Sequence, residues 1–388
     1  MIWPVLAALG EPHTLCGPEY TCYRFTMPLR SLQNCTSLRA SPSFAKQVAD
    51  KLRSNTQLTC LHLLGGHSIT VSTAGAQALA GALTNNSALR ELSLNGSPIG
   101  AEGGRALGKA LEVNTALRTL GMHGQVIEDD GAVALGTALM RNKALTTLDL
   151  STNNISARGA QALAKSLRTK SALTSLDLGV NPIGLEGVRA LAEALGSSTA
   201  LRSLRLSSDM IGGAEGARLL SDALKSNAAL TSLSLTCYYG CNTMTLGYVA
   251  LGDDGVAALS DSLKVNSALQ ELDITGNMLS DEGARVLGEA LKVNQGLTTL
   301  RITGSLLVPG SHVEASLIDA LKRGGFGAIS YRYDGPMVHL LAGRARRSDL
   351  FSHFHLPISD NDSQWSSLYE SSSPPPPPPP PPLPSPYI

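Results

Sequence analysis

A six-residue phrase, L-x-x-L-x-L, returns along this chain at nearly constant distance, and no other feature restricts the possible folds as strongly. Its first Leu stands at 58, 89, 117, 145, 173, 201, 230, 269 and 297, with Met122, Ile274 or Ile302 in the third apolar place of three copies. Successive spacings are 31, 28, 28, 28, 28, 29, 39 and 28 residues. Self-similarity at such a period marks a supersecondary unit too small to bury its own apolar face, so each copy must stack on the next.

Each half of the unit has its own periodicity. In the copy beginning at Leu145, Leu148 and Leu150 alternate with Thr147 and Asp149, the pattern of a strand with one buried face. Further on, Ala160, Leu163, Ala164 and Leu167 keep the i, i+3, i+4, i+7 spacing of one apolar stripe on a helix. Docking on a neighbour stabilises such a unit by about 1.5–3 kcal/mol per buried Leu. The pattern therefore predicts an α/β solenoid of about nine strand-helix repeats, parallel strands on the concave face and helices on the convex face.

The junctions agree with these boundaries. Glu102, Asp130, Glu186, Glu215, Asp254 and Glu282 fall at helix starts, where the macrodipole favours negative charge, and Ser280 is placed to cap the last of them. Asn55, Asn86, Asn114, Asn142, Asn227, Asn266 and Asn294 stand three residues before the first strand Leu. Asn tolerates the left-handed conformation that ends a helix, so these residues are expected to be helix stops. Gly75, Gly103, Gly131, Gly159, Gly187, Gly216, Gly255 and Gly283 recur at the helix entry, where a side chain would crowd the neighbouring repeat.

With these residues in place, the units resemble the 28-residue, ribonuclease-inhibitor-like class of leucine-rich repeats over residues 44 to 322. That class is also found in ribonuclease inhibitor, NOD-like receptors, Ran GTPase-activating protein and tropomodulin-like actin cappers. The resemblance implies a horseshoe-shaped leucine-rich-repeat solenoid and a binding rather than a catalytic role. The Gly-Ala-x-Ala-Leu-Ala phrase at Gly75 to Ala80 and Gly159 to Ala164 is similar to GALA effectors of plant-pathogenic bacteria, which implies a bacterial effector acting on host proteins as one alternative. Those effectors typically carry an amino-terminal F-box, and residues 1 to 43 show no such pattern.

Composition excludes several classes. Lys plus Arg and Asp plus Glu both number 31, so the zero net charge leaves no electrostatic footprint for nucleic acid or for an anionic membrane. No apolar run reaches the roughly 18 residues of a membrane span. The six cysteines are too few and too dispersed for a disulfide scaffold, which makes a reducing, cytoplasmic setting the expectation, with delivery into a host cell as the effector alternative. No cofactor motif is present: Gly324-Gly-Phe-Gly327 lacks the Lys of a phosphate loop, and Cys237-x-x-x-Cys241 lacks a second ligand pair for zinc. No residues are assigned to metal or to catalysis.

The ends and one interruption depart from the period. Residues 1 to 43 are expected to form an amino-terminal cap, and Ala315, Leu317, Ala320 and Leu321 to line a last helix. Residues 323 to 388 read as an irregular, Pro-rich tail ending in the run Pro374 to Pro382, a polyproline II segment suited to a polyproline-binding domain. Repeats combined with such a tail suggest a further alternative, an actin-cytoskeleton regulator. The 39-residue spacing reflects an insertion at 237–247 that carries Tyr238 and Tyr239, and aromatic anchors of this kind suit interfaces.

Open-face strand positions supply the remaining candidates: Glu91, Asp149, Asp177, Arg205, Glu271, Asp273 and Arg301. Asp149, Asp177 and Arg205 fall on successive strands about 4.8 Å apart and are expected to form a charged ladder for a partner protein. A broad open face does not desolvate carboxylates as general acid-base chemistry requires, so the ladder is read as a recognition strip.

Overall fold

The computed structural model describes residues 42–63, 71–169, 171–207, 210–237, 250–305, 312–323, 326, 328–334, 337–343 and 366–367. Ten helices occur among them: α1 (Pro42–Leu52), α2 (Thr73–Leu83), α3 (Gly100–Val113), α4 (Glu128–Leu139), α5 (Ala157–Leu167), α6 (Gly184–Ser197), α7 (Gly213–Ser226), α8 (Gly252–Leu263), α9 (Asp281–Val293) and α10 (His312–Arg323). They alternate with strands β1 (Cys60–His62), β2 (Glu91–Ser93), β3 (Thr119–Gly121), β4 (Thr147–Asp149), β5 (Ser175–Asp177), β6 (Ser203–Ser207), β7 (Ser232–Thr236), β8 (Glu271–Asp273) and β9 (Thr299–Ser305).

Strands β1 to β9 lie side by side in chain order, each pair parallel. The register stacks Leu61, Leu92, Leu120, Leu148, Leu176, Leu204, Leu233, Leu272 and Leu300 into one continuous ladder, all of them buried. Helices need roughly 10 Å of lateral room and strands about 4.8 Å, so stacking one of each per repeat puts the strands on the inside of the curve. This is the α/β solenoid that the period predicts. Leu and Ala fill its core, as the helix stripe Ala160, Leu163, Ala164 and Leu167 illustrates.

Two polar ladders pin the units together, and one of them corrects the sequence reading. The helix-end asparagines do not adopt the left-handed conformation: Asn114, Asn227 and Asn294 are extended, with φ/ψ of −73/122, −79/120 and −70/128. Their side chains turn inward instead. Asn114 Nδ2 donates to Leu83 O at 2.7 Å and Asn86 O at 2.9 Å, while its Oδ1 accepts from Ala116 N at 3.0 Å and Leu117 N at 2.8 Å. Asn86, Asn142, Asn227 and Asn266 repeat the scheme, each bonding carbonyls of the preceding unit and amides of its own. A buried amide with two donors and two acceptor lone pairs matches that demand where a shorter side chain does not. At the far end of the strands Asn153, Asn181 and Asn277 form a second ladder, with Nδ2 donating to Met122 O, Leu150 O and Leu235 O and Oδ1 accepting from amides of the preceding unit, as Gln125 N and Ile127 N show for Asn153.

The expected acids do lie in the first turns of their helices. Asp129 goes further and reaches the next unit, accepting from Ser156 N at 2.8 Å, Ser156 Oγ at 2.5 Å and Gly159 N at 3.0 Å. Burial raises its pKa, but these hydrogen bonds outweigh that and hold the carboxyl below its ordinary value. The helix-entry glycines are crowded as expected: a Cβ on Gly159 would meet Ile155 Cγ2 at 2.6 Å and Ala132 Cβ of the previous unit at 3.0 Å.

The carboxy-terminal side differs from the irregular stretch expected there. Strands β10 (Ala328–Asp334) and β11 (Met337–Gly343) form an antiparallel hairpin, and β11 adds antiparallel to β9, with β12 (Ser366–Ser367) on the outer side of β10. The hairpin lacks the leucine phrase by which strands are recognised in the repeats. In α10, Leu317 and Leu321 are buried as expected, but Ile318 faces inward and Ala315 is exposed. The expected cap over 1–43, apart from the start of α1, and the polyproline run lie outside the described residues.

Candidate functional site

On the concave face the residue after each central Leu points away from the core. The register aligns Ser93, Gly121, Asp149, Asp177, Arg205, Ser234, Asp273 and Arg301 as a row across β2 to β9. The charged ladder predicted from Asp149, Asp177 and Arg205 is thus assembled, and Asp273 with Arg301 continues it beyond Ser234.

Asp149 Oδ1 accepts from Ser151 N at 2.9 Å and from Ser151 Oγ at 2.6 Å. With its proton turned to the carboxylate, Ser151 Oγ accepts from His123 Nδ1 at 2.8 Å. A nucleophilic triad orders these groups differently, with the imidazole between hydroxyl and carboxylate, so this chain fixes side chains rather than activating Ser151. Asp177 Oδ1 accepts from Gly179 N at 2.9 Å, and its Oδ2 lies 3.6 Å from Arg205 Nη1. Burial, with a smaller push from Asp149, raises the Asp177 pKa against the opposing pull of the Gly179 amide, Arg205 and His123. The concave face therefore desolvates this carboxyl more than the sequence suggests.

Arg205 is 48% exposed. Beside it Ser234 is buried, and its Oγ has no hydrogen-bond partner among the described residues. Asp273 accepts from Thr275 N at 3.0 Å and stands 3.7 Å from Arg301 Nη1. Burial lowers the Arg301 pKa more than Asp273 and Glu271 raise it. Glu271 is exposed on β8 and accepts from Ser232 Oγ at 3.0 Å. Tyr238 and Tyr239 lie outside the described residues, while Cys237 at their border is disulfide-bonded, which the expectation of a reducing setting does not anticipate.

Glu91 belongs to a different group. It faces His62 on β1, with Oε1 2.8 Å from Nε2, and Cys60 Sγ lies 3.3 Å from the same nitrogen. The three ligand atoms fall within 4.8 Å of one another, although sequence spacing assigned no metal ligands anywhere. Burial first, then the Glu91 charge and hydrogen bond, raise the Cys60 pKa. The trio escapes a search by spacing because β1 and β2 are brought together only by stacking; laying the copies in register would have set Cys60 opposite Glu91. On the convex side a groove between α5 and α6 is lined by Lys165, Arg168, Arg189 and Glu193 and holds no comparable arrangement. Among the described residues no helix is long and apolar enough to cross a membrane.

The pattern of the Leucine Rich repeat family matches at 85–108, 141–164, 170–192 and 265–288, so the chain carries leucine-rich repeats. No curated protein matches the sequence. Among solved structures, actin-binding site 2 of leiomodin-1 is similar at 24% identity over 40% of this chain and 75% of that one, with a TM-score of 0.28. A TLR13-ssRNA13 complex is similar at 20% identity over 72% of this chain and 34% of that one, with a TM-score of 0.44. The tropomodulin C-terminal domain of Caenorhabditis elegans is similar at 14% identity over 47% of this chain and 92% of that one, with a TM-score of 0.32. With TM-scores this low, none of the three bears on the choice of partner.

Proposed function

We propose that this leucine-rich-repeat chain is a non-enzymatic protein-binding scaffold whose partner lies across the concave row Asp149, Asp177, Arg205, Asp273 and Arg301. The observation that carries the reading is that the register holds these charges in one row, with Arg205 only loosely paired. Asp177 and Arg205 stand 3.6 Å apart, at the long end for ion pairs, and the Arg205 side chain keeps 48% of its surface exposed. A partner carboxylate can take a bidentate bond from this exposed guanidinium. Because rigid parallel strands hold these groups, little further ordering opposes association.

The test compares the intact chain with Asp177→Asn, Arg205→Ala and Arg301→Ala variants against a protein captured by the intact chain and identified. Loss of a central charged contact should cost about 2 kcal/mol or more, roughly a thirtyfold weakening. The outer-groove variant Arg189→Ala should bind as the intact chain does. Undiminished binding to all three concave variants would refute the placement. The tyrosines of the insertion and the polyproline run are offered as auxiliary contacts, the latter for a polyproline-recognising domain. A chain ending at Ser373 should then lose such a domain while retaining the concave partner.

A further inference from the structure

The repeat explains neither Cys60 nor His62. At the register position of Cys60 the later strands carry Glu91, Thr119, Thr147, Ser175, Ser203, Ser232, Glu271 and Thr299, and at that of His62 they carry Ser, Gly, Asp or Arg. Stacking thus calls for no thiol or imidazole at either place. Nor does hydrogen bonding account for the cluster. One ring nitrogen serves one in-plane hydrogen bond, yet both the Cys60 thiol and the Glu91 carboxylate converge on His62 Nε2, at 3.3 and 2.8 Å. A cation placed among the three would satisfy all of them.

We infer that Cys60, His62 and Glu91 form a three-ligand site for a zinc-type divalent cation, which ties β1 to β2 on the concave face. One thiolate, one imidazole and one carboxylate are the donors that zinc accepts, and three protein ligands leave a fourth position for water or a partner group. Tetrahedral bonds of about 2.0–2.3 Å place neighbouring ligand atoms roughly 3.4–3.6 Å apart. The Cys60–His62 separation nearly meets this, and Glu91, whose side chain is 43% exposed, has the freedom to withdraw by the remaining half ångström or so. Cys60 and His62 share one face of β1, and Glu91 is the direct partner of Cys60 across the ladder, so the backbone already holds the three together. As the ion binds, the Cys60 thiol proton passes to solvent. Among the described residues this is the one such trio.

Cobalt(II) added to the metal-stripped full chain is the probe, with zinc as competitor. One equivalent should produce a sulfur-to-cobalt charge-transfer band and four-coordinate visible bands, both erased by zinc. Cys60→Ser should abolish the charge-transfer band, and it places at that position the residue type that β5, β6 and β7 already carry, so the fold is retained. His62→Ala and Glu91→Gln should each weaken cobalt binding by at least about tenfold. Absence of the band in the unmodified chain, its survival in Cys60→Ser, or unchanged affinity in His62→Ala and Glu91→Gln would overturn the assignment.

Discussion

Replacing Asn142 by Ala isolates the ladder that joins successive units. Its Nδ2 donates to Leu111 O at 2.7 Å and Asn114 O at 2.8 Å, and its Oδ1 accepts from Ala144 N and Leu145 N, both at 2.8 Å. Asn142 is only 5% exposed, so the groups it leaves behind do not readily find water. At about 1 kcal/mol net for each of these bonds, Asn142→Ala should cost roughly 3–5 kcal/mol. Asn142→Ser supplies the graded comparison, since Ser198 occupies the equivalent place two units on and, among the described residues, its hydroxyl holds the Leu201 amide alone, at 3.5 Å. The Ser variant should recover about one bond in four. Urea unfolding gives the total loss. Because each unit contacts only its neighbours, the loss should also be local, with hydrogen exchange accelerating at the Ala144 and Leu145 amides. A cost of less than about 1 kcal/mol, or undiminished protection of those amides, would refute the claim that this side chain fastens the units together.

Three further substitutions test the packing and the electrostatics. Gly136→Ala puts a Cβ 2.7 Å from Ala162 O and should destabilise by about 1–3 kcal/mol, whereas Gly196→Ala, with nothing within 4 Å, should stabilise by about 0.5–1 kcal/mol; thermal or urea denaturation would show the opposite signs. The raised pKa of Asp177 means that the folded chain holds this proton more tightly than the unfolded chain does. Its contribution is therefore fully present below the unfolded value near pH 3.9 and is lost as pH rises through the folded pKa. Asp177→Asn should remove that fall, so its stability relative to the unmodified chain should increase with pH across this window, as measured by urea unfolding at a series of pH values. A constant difference would mean that Asp177 is not desolvated.

How far the residues alone determine the molecule follows from which interactions are periodic. Alternating leucines and the helical Ala/Leu stripe recur at a fixed interval, so strands, helices, their order and the concave row containing Asp149, Asp177 and Arg205 are all readable from spacing. The asparagines are equally periodic, but their purpose is not readable: a polar residue at a helix end fits both a left-handed stop and an inward amide, and only the neighbouring unit's carbonyls, as Leu83 O shows for Asn114, decide between them. The hairpin of β10 and β11 is not readable from spacing, because a strand added once leaves no period behind. The elevation of the Asp177 pKa depends on its burial once the units stack, and the meeting of Cys60, His62 and Glu91 depends on which strand lies beside β1. Periodic local chemistry therefore sets the architecture, while contacts between residues about 30 positions apart, made only when units stack, determine the charge state and grouping of the side chains that face a partner.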